Sequence, residues 1–594
     1  MSLPPERPDR RHGVMLVGIL AVLALFGVRL VYIQGVHGPR LAEEARAARM
    51  VVQPIDAVRG EIVDSTGVVL ATTVISFDII ANQKLIPEFS YEPEDGEPAY
   101  GAAAAAQLLA PILGQRPNEL GARLVGDRGY VVLARHATPE VWQRVKALEI
   151  DGISAEQKSE RVYPNGNTAG NILGFVNSEG TGAAGLEYSL QTRLAGTAGE
   201  ERYEVGRAGQ VIPTGEQSRS AAVPGESVHL SLDRDIQWNA QRVIDTAVDR
   251  YGAQWGAVLV EEVGTGRILA LADSDAVDPN NPAATAPGSW GSHAVQDVYE
   301  PGSTGKIATI ATSLEQGLVT PTTLFTVPYR LTVGGQTFKD HTEHPTETLT
   351  TTGILADSSN TGTIQVGQLV SDEVRYDYLR RFGLGEQTNL GLAGESAGIV
   401  HPPGQQDGRM RYTMMFGQGL AVNLVQNTGV LATLANGGVH VAPRLVDGYT
   451  TPGGRYEEAP ASAERQVVSA ETSAQMLRML ESVVEDGTGT KAGITGYRVA
   501  GKTGTAQVAD GGGGLSATVA SFVGVVPAEA PRLAIGVVIY KPTSGFFGGT
   551  IAAPVFHDIA SFALSTLGIP PTGVTEPLYP LTPGGDMSVP GYDG

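Results

Sequence analysis

The chain has no cysteine among its 594 residues. This excludes disulfide bonds and thiolate chemistry, but it does not fix the compartment, since many exported proteins manage without disulfides. Basic residues are also few, with 42 Lys and Arg against 63 Asp and Glu, and the net charge is −21. Because phosphate binding needs a basic face, this balance argues against nucleic acid or anionic lipid as a partner.

Lysine is scarce, with eight in the chain, and only Lys306 has a serine, Ser303, three residues before it. A general base must be able to lose its proton, which a desolvated amine can do and a guanidinium cannot. Ser303 also follows a Pro-Gly turn at the start of a helical pattern. On this motif alone, a capping serine followed by a surface lysine stays an open alternative.

A long apolar run lies near the N-terminus. Arg7, Arg10 and Arg11 precede it, and residues 13–34 are long enough to span a bilayer. Basic residues on the short side predict that residues 1–12 are a cytoplasmic tail and that the rest of the chain lies outside the cell membrane. A cleaved signal peptide is the alternative, and it is disfavoured because no small-residue cleavage site follows directly.

The rest of the chain is too long for one hydrophobic core, and its composition indicates two blocks. Residues 35–223 are mixed in composition, with an alanine-rich helix predicted at 101–113 and a strand at 130–133. Residues 224–568 open with a short β-like run followed by an amphipathic helix. Residues 569–594 are rich in Pro and Gly and predict a flexible tail.

The end of the second block predicts an antiparallel sheet with a helix packed on it. Three β-rich runs, separated by Gly, Pro and Asp, are followed by a helical pattern: "YRVAGKTGTAQV", "ATVASFVGVVP", "RLAIGVVIYKP" and "APVFHDIASFALSTLG". The block is therefore expected to be a layered α/β domain.

Two further motifs follow Ser303. "ADSSNTG" places Ser358 and Asn360 in Ser-x-Asn spacing, and "AGKTGTAQ" places a Lys-Thr-Gly triplet at 502–504 at the start of a predicted strand. Either motif alone is compatible with an ordinary turn. In the order Ser-x-x-Lys, Ser-x-Asn, Lys-Thr-Gly, however, the set is typical of penicillin-binding proteins and class A β-lactamases.

Longer segments make the chain resemble the class B, monofunctional penicillin-binding proteins. They are "RGEIVDSTGVVLA", "RVYPNGNTAGNILGFVNSEGTGAAGLEYSLQTRLAGTAG", "YEPGSTGK", "FGQGLAVNLVQNTGVLATLANGG" and "GGTIAAPVF". The resemblance implies a membrane-anchored, multidomain fold: one transmembrane helix, an extended α+β pedestal (dimerisation-type) domain, and a transpeptidase domain with an antiparallel sheet covered by helices and an all-helical subdomain. Ser65, Gly305 and Asn423 depart from the residues usual in the family.

The resemblance also implies a peptidoglycan D,D-transpeptidase that acts through a serine acyl-enzyme. The implied catalytic residues are Ser303 as nucleophile, Lys306 as base, Ser358 as proton carrier to the leaving amine, Asn360, and Lys502, which keeps the site electropositive. The implied substrate-binding residues are Thr503, Gly504 and Thr505, with the backbone N–H groups of Ser303 and Thr505 as oxyanion hole. No cofactor and no metal are expected.

Peptidoglycan stem peptides are the expected substrates and β-lactams the expected inhibitors. A SEDS-family glycan polymerase and other division proteins are the implied partners, and "FGQGLAVNLVQN" favours a septal role. The alternatives are an elongation-type enzyme and a membrane-anchored scaffold or β-lactam sensor. A bifunctional enzyme is disfavoured because no glycosyltransferase pattern is found. A β-lactamase is disfavoured because Glu386 and Asn389 lack the spacing of its deacylating element.

Overall fold

The computed structural model describes residues 10–92, 98–206, 211–508, 517–573 and 577–584. Residues 1–9 of the predicted cytoplasmic tail are outside the described residues. The same holds for residues 574–576 and 585–594 of the predicted flexible tail. The chain divides into two compact units. The first is made of Met1–Val58, Ile75–Ser159 and Thr197–Val223, and the second of Arg59–Val74, Glu160–Gly196 and Pro224–Gly594.

The described residues contain both helices and strands, in runs of one to five elements of one kind. The α-helices are α1 Arg10–Val31, α2 Gly38–Ala47, α3 Gly101–Leu113, α4 Pro117–Leu124, α5 Pro139–Lys146, α6 Gly170–Leu173, α7 Gly185–Ser189, α8 Gln191–Leu194, α9 Arg234–Tyr251, α10 His293–Gln296, α11 Lys306–Glu315, α12 Thr351–Ala356, α13 Asn360–Gly367, α14 Asp372–Arg381, α15 Met410–Thr413, α16 Leu424–Ala435, α17 Ala470–Glu485 and α18 Gly548–Thr566. The strands are β1 Met50–Ile55, β2 Ile62–Val63, β3 Val69–Ala81, β4 Ser90–Tyr91, β5 Ala99–Tyr100, β6 Val131–Ala137, β7 Ile153–Val162, β8 Gly199–Glu204, β9 Gln217–Ser220, β10 Ser227–Leu230, β11 Trp255–Glu262, β12 Ile268–Asp273, β13 Leu324–Val327, β14 Arg330–Val333, β15 Gln336–Lys339, β16 Glu347–Thr350, β17 Val439–Val441, β18 Val446–Thr450, β19 Tyr456–Glu458, β20 Glu464–Gln466, β21 Ala500–Val508, β22 Ala517–Val526 and β23 Leu533–Tyr540.

The N-terminal apolar run is helical. α1 continues through a π-helical turn, Tyr32–His37, into α2, so that one helix extends from Arg10 to Ala47. Its apolar side chains are exposed, and its length and composition are sufficient to cross a membrane. The predicted span, 13–34, lies within this helix, which is suited to anchor the chain.

The first unit contains a three-stranded antiparallel sheet, β1-β8-β9, and helices α3, α4 and α5. The alanine-rich helix is confirmed as α3, and the strand predicted at 130–133 is found as β6. Leu109, Leu120 and Val145 from the three helices share a core with Leu133 of β6. This packing explains why three short helices are stable here, because each buries an apolar face.

The second unit is built around a five-stranded antiparallel sheet, in the order β12-β11-β23-β22-β21. The three predicted β-rich runs are β21, β22 and β23, and the predicted helix is α18, so this expectation is confirmed. α9 and α18 pack on one face through residues such as Ile244 and Phe556. Residues of α11, α12, α14, α16 and α17 form a separate core against Val523 and Val525.

The C-terminal segment 577–584, which the sequence predicts to be part of a flexible tail, is packed on the protein. Leu578 is completely buried, and the Leu581 carbonyl accepts a hydrogen bond from the Thr350 amide at 2.9 Å. The guanidinium of Arg478 lies over the Tyr579 ring, 4.6 Å from its centroid. Residues 577–584, called the strap below, are therefore packed against the rest of the second unit and are not a flexible tail. The few apolar residues among the prolines are buried or half-buried there.

Candidate active site

The candidate nucleophile lies in a short 3-10 turn, Gly302–Gly305, that leads into α11. Gly302 has a φ of 56°, and a Cβ built on it would lie 2.9 Å from the Thr505 carbonyl oxygen, so glycine alone fits. Ser303 is half-buried, and its hydroxyl makes no hydrogen bond to any described residue. The hydroxyl is thus left available for a substrate.

Lys306 is completely buried at the first position of α11. Its Nζ donates to the Ser358 carbonyl oxygen at 2.5 Å and to Ser358 Oγ at 3.3 Å. Burial lowers the pKa of Lys306 to about 7, against the opposing effect of the Asp340 carboxylate. A lysine with this pKa is partly neutral at neutral pH, which a general base requires. Within the described residues no hydrogen bond joins Lys306 to Ser303.

Ser358 connects the two lysines of the site. Its Oγ also accepts a hydrogen bond from Lys502 Nζ at 3.0 Å, so that one hydroxyl lies between two buried amines. Ser358 has a φ of 58°, a left-handed conformation that a serine holds only when the surrounding structure stabilises it. The chain leaves α12 and enters α13 at this point, and the turn brings Ser358 to both lysines.

Asn360 is the first residue of α13 and is half-buried. Its side-chain Nδ2 donates to the Lys339 carbonyl oxygen at 3.3 Å. The Ser-x-Asn motif is thus held between α12 and β15, with Ser358 on the lysines and Asn360 on the end of β15.

Lys502 is completely buried on β21. Burial and the neighbouring Lys306 amine both lower the pKa of Lys502, so the pair does not readily hold two protons. Lys502 Nζ also donates to Thr503 Oγ1 at 3.3 Å, and that hydroxyl is 2.7 Å from Thr488 Oγ1. The hydroxyl of Thr503, an implied substrate-binding residue, is therefore already in contact with two protein groups.

Gly504 and Thr505 bring β21 against the nucleophile's turn. A Cβ built on Gly504 would lie 2.2 Å from Ser521 Oγ and 2.8 Å from the Pro301 carbonyl oxygen, so no larger residue fits. The Thr505 hydroxyl accepts a hydrogen bond from the Gly548 amide at 3.1 Å and keeps its own proton for another acceptor. Thr505 is half-buried, whereas Thr503 is buried.

Asp340 is a site residue that the sequence did not reveal. Its buried carboxylate accepts hydrogen bonds from Ser359 Oγ at 2.7 Å, from the Thr361 amide at 2.9 Å, and from the Asn360 amide. His344 Nε2 is 3.0 Å from the same carboxylate. Asp340 therefore fixes the first turn of α13, as a negative charge at a helix N-terminus does. Nothing in the sequence separated it from the other acidic residues, because its partners lie about 20 residues along the chain.

Gly305 is packed against a second glycine. A Cβ built on Gly305 would lie 2.7 Å from Gly417 Cα, and the Gly302 amide donates to the Gly417 carbonyl at 2.9 Å. Thr304, between the nucleophile and Gly305, bonds Asn427 of α16 through its hydroxyl at 3.0 Å. The glycine in the Ser-x-x-Lys motif thus permits close backbone contact, and the turn is held from two sides.

Glu386 lies outside the site. It forms ion pairs with Arg380 at 2.9 Å and with Arg465 at 3.3 Å. Its carboxylate therefore connects α14 and β20 through ion pairs.

Comparison with protein families identifies two domains in the chain. Residues 256–561 match the penicillin-binding protein transpeptidase domain, and residues 54–230 match the penicillin-binding protein dimerisation domain. Together the two matches cover most of the chain from β1 to α18.

Relatives extend over nearly the whole length. The chain is 35% identical to the penicillin-binding protein PbpB of Mycobacterium tuberculosis over 580 residues, which are 94% of this chain and 85% of that protein. It is 33% identical to the peptidoglycan D,D-transpeptidase FtsI of Escherichia coli K12, covering 95% and 93% of the two chains. The crystal structure of penicillin-binding protein 3 from M. tuberculosis, complexed with aztreonam, matches with a TM-score of 0.68 and 31% identity over 87% of this chain and 98% of that one.

Proposed function

Because this chain belongs to the penicillin-binding proteins that carry a transpeptidase domain, we propose that Ser303, Lys306, Ser358 and Lys502 perform its acyl transfer. The chain is a peptidoglycan D,D-transpeptidase, an enzyme that cross-links stem peptides in the bacterial cell wall. The observation that carries the residue assignment is the shared hydrogen bonding of Ser358 Oγ with two buried amines beside Ser303.

In the first step, Ser303 Oγ attacks the carbonyl carbon between the last two D-alanines of a donor stem peptide. Neutral Lys306 takes the hydroxyl proton, which a lysine with a pKa of about 7 can do. The carbon–nitrogen bond breaks, Ser358 passes a proton to the departing amine, and D-alanine leaves from an ester on Ser303. The Lys306–Ser358 contact supports this proton path.

The oxyanion of the tetrahedral intermediate is stabilised by backbone N–H groups of Ser303 and Thr505. The close contact of Gly302 with the Thr505 carbonyl supports this pairing, since it holds the turn and β21 together. The substrate's terminal carboxylate binds beside Lys502 and the Thr505 hydroxyl. Its negative charge favours the proton on Lys502 and leaves Lys306 neutral.

In the second step, an amino group of a neighbouring stem peptide attacks the ester. A new amide bond forms, the ester carbon–oxygen bond breaks, and the proton of the attacking amine returns through Lys306 to Ser303. β-Lactams stop the enzyme after the first step, because they acylate Ser303 through a similar carbonyl without releasing a diffusible fragment.

Labelling with a fluorescent penicillin tests the assignment. The parent protein is expected to become covalently labelled, and Ser303→Ala to lose the label completely. Ser313→Ala, in the helix α11 that follows the nucleophile's turn, removes a hydroxyl bonded to backbone carbonyls; it is the control and keeps the label. Equal labelling of Ser303→Ala and the parent would show that another residue is acylated.

For the cellular role we propose septal wall synthesis, with a SEDS-family glycan polymerase and other division proteins as partners. The names of the relatives support this over an elongation role or a scaffold or sensor role. A fluorescent fusion in growing cells is expected at the septum. Lateral or polar signal without septal enrichment would contradict the division role.

We also propose that the N-terminus is cytoplasmic and the catalytic domain extracytoplasmic. Arg7, Arg10 and Arg11, which precede the apolar run, support this orientation. A protease added outside spheroplasts is expected to digest the transpeptidase domain and to leave an N-terminal tag intact. Digestion of the N-terminal tag with protection of the transpeptidase domain would contradict this orientation.

A further inference from the structure

A cavity of about 330 Å³ lies in the second unit, between β11, α16, β17 and β20. Among the residues that line it are Glu261, Glu386, Gly429, His440, Glu464 and Arg465, and none of the eight predicted site residues lines it. Its volume is in the range of small-ligand sites. It is therefore a second place in this molecule where a ligand can be accommodated.

Glu261 is the unusual residue of this cavity. It is 4% exposed, on a strand whose other central residues are apolar, and its carboxyl group makes no hydrogen bond or ion pair with any described residue. Burial raises the pKa of Glu261 to about 8. A carboxyl group that is buried without a partner destabilises the fold. Its presence at the cavity wall therefore indicates a role other than stability.

Gly429 of α16 lines the same cavity as Glu261 and leaves space in it. A Cβ built on Gly429 would have only His440 Cε1 nearby, at 4.0 Å. A larger side chain at 429 would enter the cavity. The cavity wall thus includes Gly429 of α16, which has no side chain, and Glu261 of β11, whose carboxyl group is unpaired.

Apart from the exposed Glu464, the other charged groups of the cavity already have partners or are neutral. Glu386 pairs with Arg380 and Arg465, and Arg465 Nε also donates to the Arg381 carbonyl at 2.6 Å. Burial and the Arg465 charge lower the pKa of His440 to about 4, so this ring is neutral at neutral pH. Glu464 is exposed and adds negative charge. The lining therefore lacks a cation for Glu261.

We propose that the cavity binds a primary alkylammonium compound, whose ammonium group is held by the carboxylate of Glu261. Within the described residues no cluster of three or more metal-ligating side chains is found, so an organic cation fits the lining better than a metal ion. The apolar part of the ligand would lie against Val425 and Phe382. The proposal is independent of the transpeptidase assignment.

Binding is coupled to a proton. Below pH 8 the free Glu261 carboxyl is mostly protonated, and an ammonium ion favours its ionised form, so binding releases the proton to solvent. Affinity therefore rises with pH, by up to about tenfold per unit between pH 6 and 8, and levels off above pH 8. Glu386, Glu464, His440 and Arg465 face the same space but, except for exposed Glu464, are paired or neutral.

Calorimetric titration of the full-length protein with 1,4-diaminobutane tests the proposal, with butane-1,4-diol as the uncharged probe. The diamine is expected to bind and the diol not to bind. Glu261→Gln and Gly429→Leu, which remove the charge and fill the space, should each weaken diamine binding at least tenfold. Glu262→Gln, the neighbouring acid outside the cavity, should stay within twofold of the parent.

Penicillin labelling equal to that of the parent shows that a variant is folded. The pH series uses the parent protein alone and so does not depend on the variants. Absence of diamine binding, equal binding of the diol, unchanged affinity in Glu261→Gln, or an affinity constant from pH 6 to 8 would each overturn the proposal.

Discussion

At the scale of single residues, burial changes what two lysines can do. On the surface, both would be cations at neutral pH, with a pKa near 10.4. Lys306 and Lys502 are buried together beside one serine hydroxyl, and both have lowered pKa values. The two amines are therefore not readily protonated at the same time. The chemistry of the Ser-x-x-Lys motif therefore depends on its surroundings more than on its spacing.

The first prediction concerns pH. Acylation of the parent by a fluorescent penicillin should be half-maximal near pH 7 and fall about tenfold per unit at lower pH, because Lys306 must be neutral to accept a proton. Lys306→Arg, which stays protonated, should be slower by about two orders of magnitude or more at every pH. A rate that is constant from pH 5.5 to 8 would argue against Lys306 as the base.

The second prediction concerns Asp340 as a positioning residue. In Asp340→Asn the opposing carboxylate charge is lost, so the pKa of Lys306 falls further and the midpoint of the acylation profile moves to lower pH. The loss of bonds to Ser359 and Thr361 should also slow acylation. Stopped-flow labelling across pH measures both effects.

The matched control for Asp340 is Asp64, another buried carboxylate that accepts backbone amide bonds, from Thr66, Val68 and Arg234. Asp64→Asn should destabilise the protein by a comparable amount, about 1–3 kcal/mol, without moving the pH midpoint. A shift of equal size in both variants would mean that Asp340 has only a structural role.

At the scale of elements, the position of Ser358 depends on how α12 is held. The strap, residues 577–584, bonds Thr350 at the start of α12, and a Cβ built on Gly353 would lie 2.2 Å from the Leu581 carbonyl oxygen. α12 has only six residues and would not be stable alone. Its tertiary contacts, including the strap, therefore support the turn that carries Ser358.

The third prediction follows from the burial of Leu578. Leu578→Ala should reduce the free energy of unfolding by about 2–5 kcal/mol locally, and amide hydrogen exchange in α12 should become faster. Thr582→Ala, at an exposed position of the same strap, is the control and should leave exchange unchanged. If α12 exchanges equally in both variants, the strap does not support the helix.

At the scale of the whole molecule, distant parts of the sequence meet in a buried ion cluster. Glu187 is completely buried and pairs with Arg59 at 2.5 Å and with Arg161 at 2.7 Å. The segments 59–74 and 160–196 that carry these residues belong to the second compact unit, although the predicted limit at 223/224 assigns them to the first block. The predicted domain limits stay predictions.

The fourth prediction is that Glu187→Gln destabilises the second unit by about 3–5 kcal/mol, because it leaves two buried arginines without a full counter-charge. The urea concentration at which penicillin labelling is lost should fall accordingly. Glu200→Gln, which breaks an exposed pair with Arg202, is expected to have little effect. Equal urea midpoints for Glu187→Gln and the parent would contradict this account.

Features that depend on near neighbours along the chain can be predicted from the amino-acid sequence alone. The apolar run of α1, the helix α3, the strands β21 to β23 and the three ordered motifs are all local patterns, and local patterns fix hydrogen-bonding type and chemistry. They were sufficient to indicate the family and the identity of the candidate nucleophile.

Features that depend on burial and on long-range contacts became visible with the three-dimensional structure. It brought Lys306 and Lys502 to one hydroxyl, placed Asp340 at the start of α13, packed Gly305 against Gly417, and docked the strap on α12. Desolvation and packing arise between residues that are tens or hundreds of positions apart. No short stretch of sequence carries that information, because a side chain's neighbours in space are set by the fold as a whole.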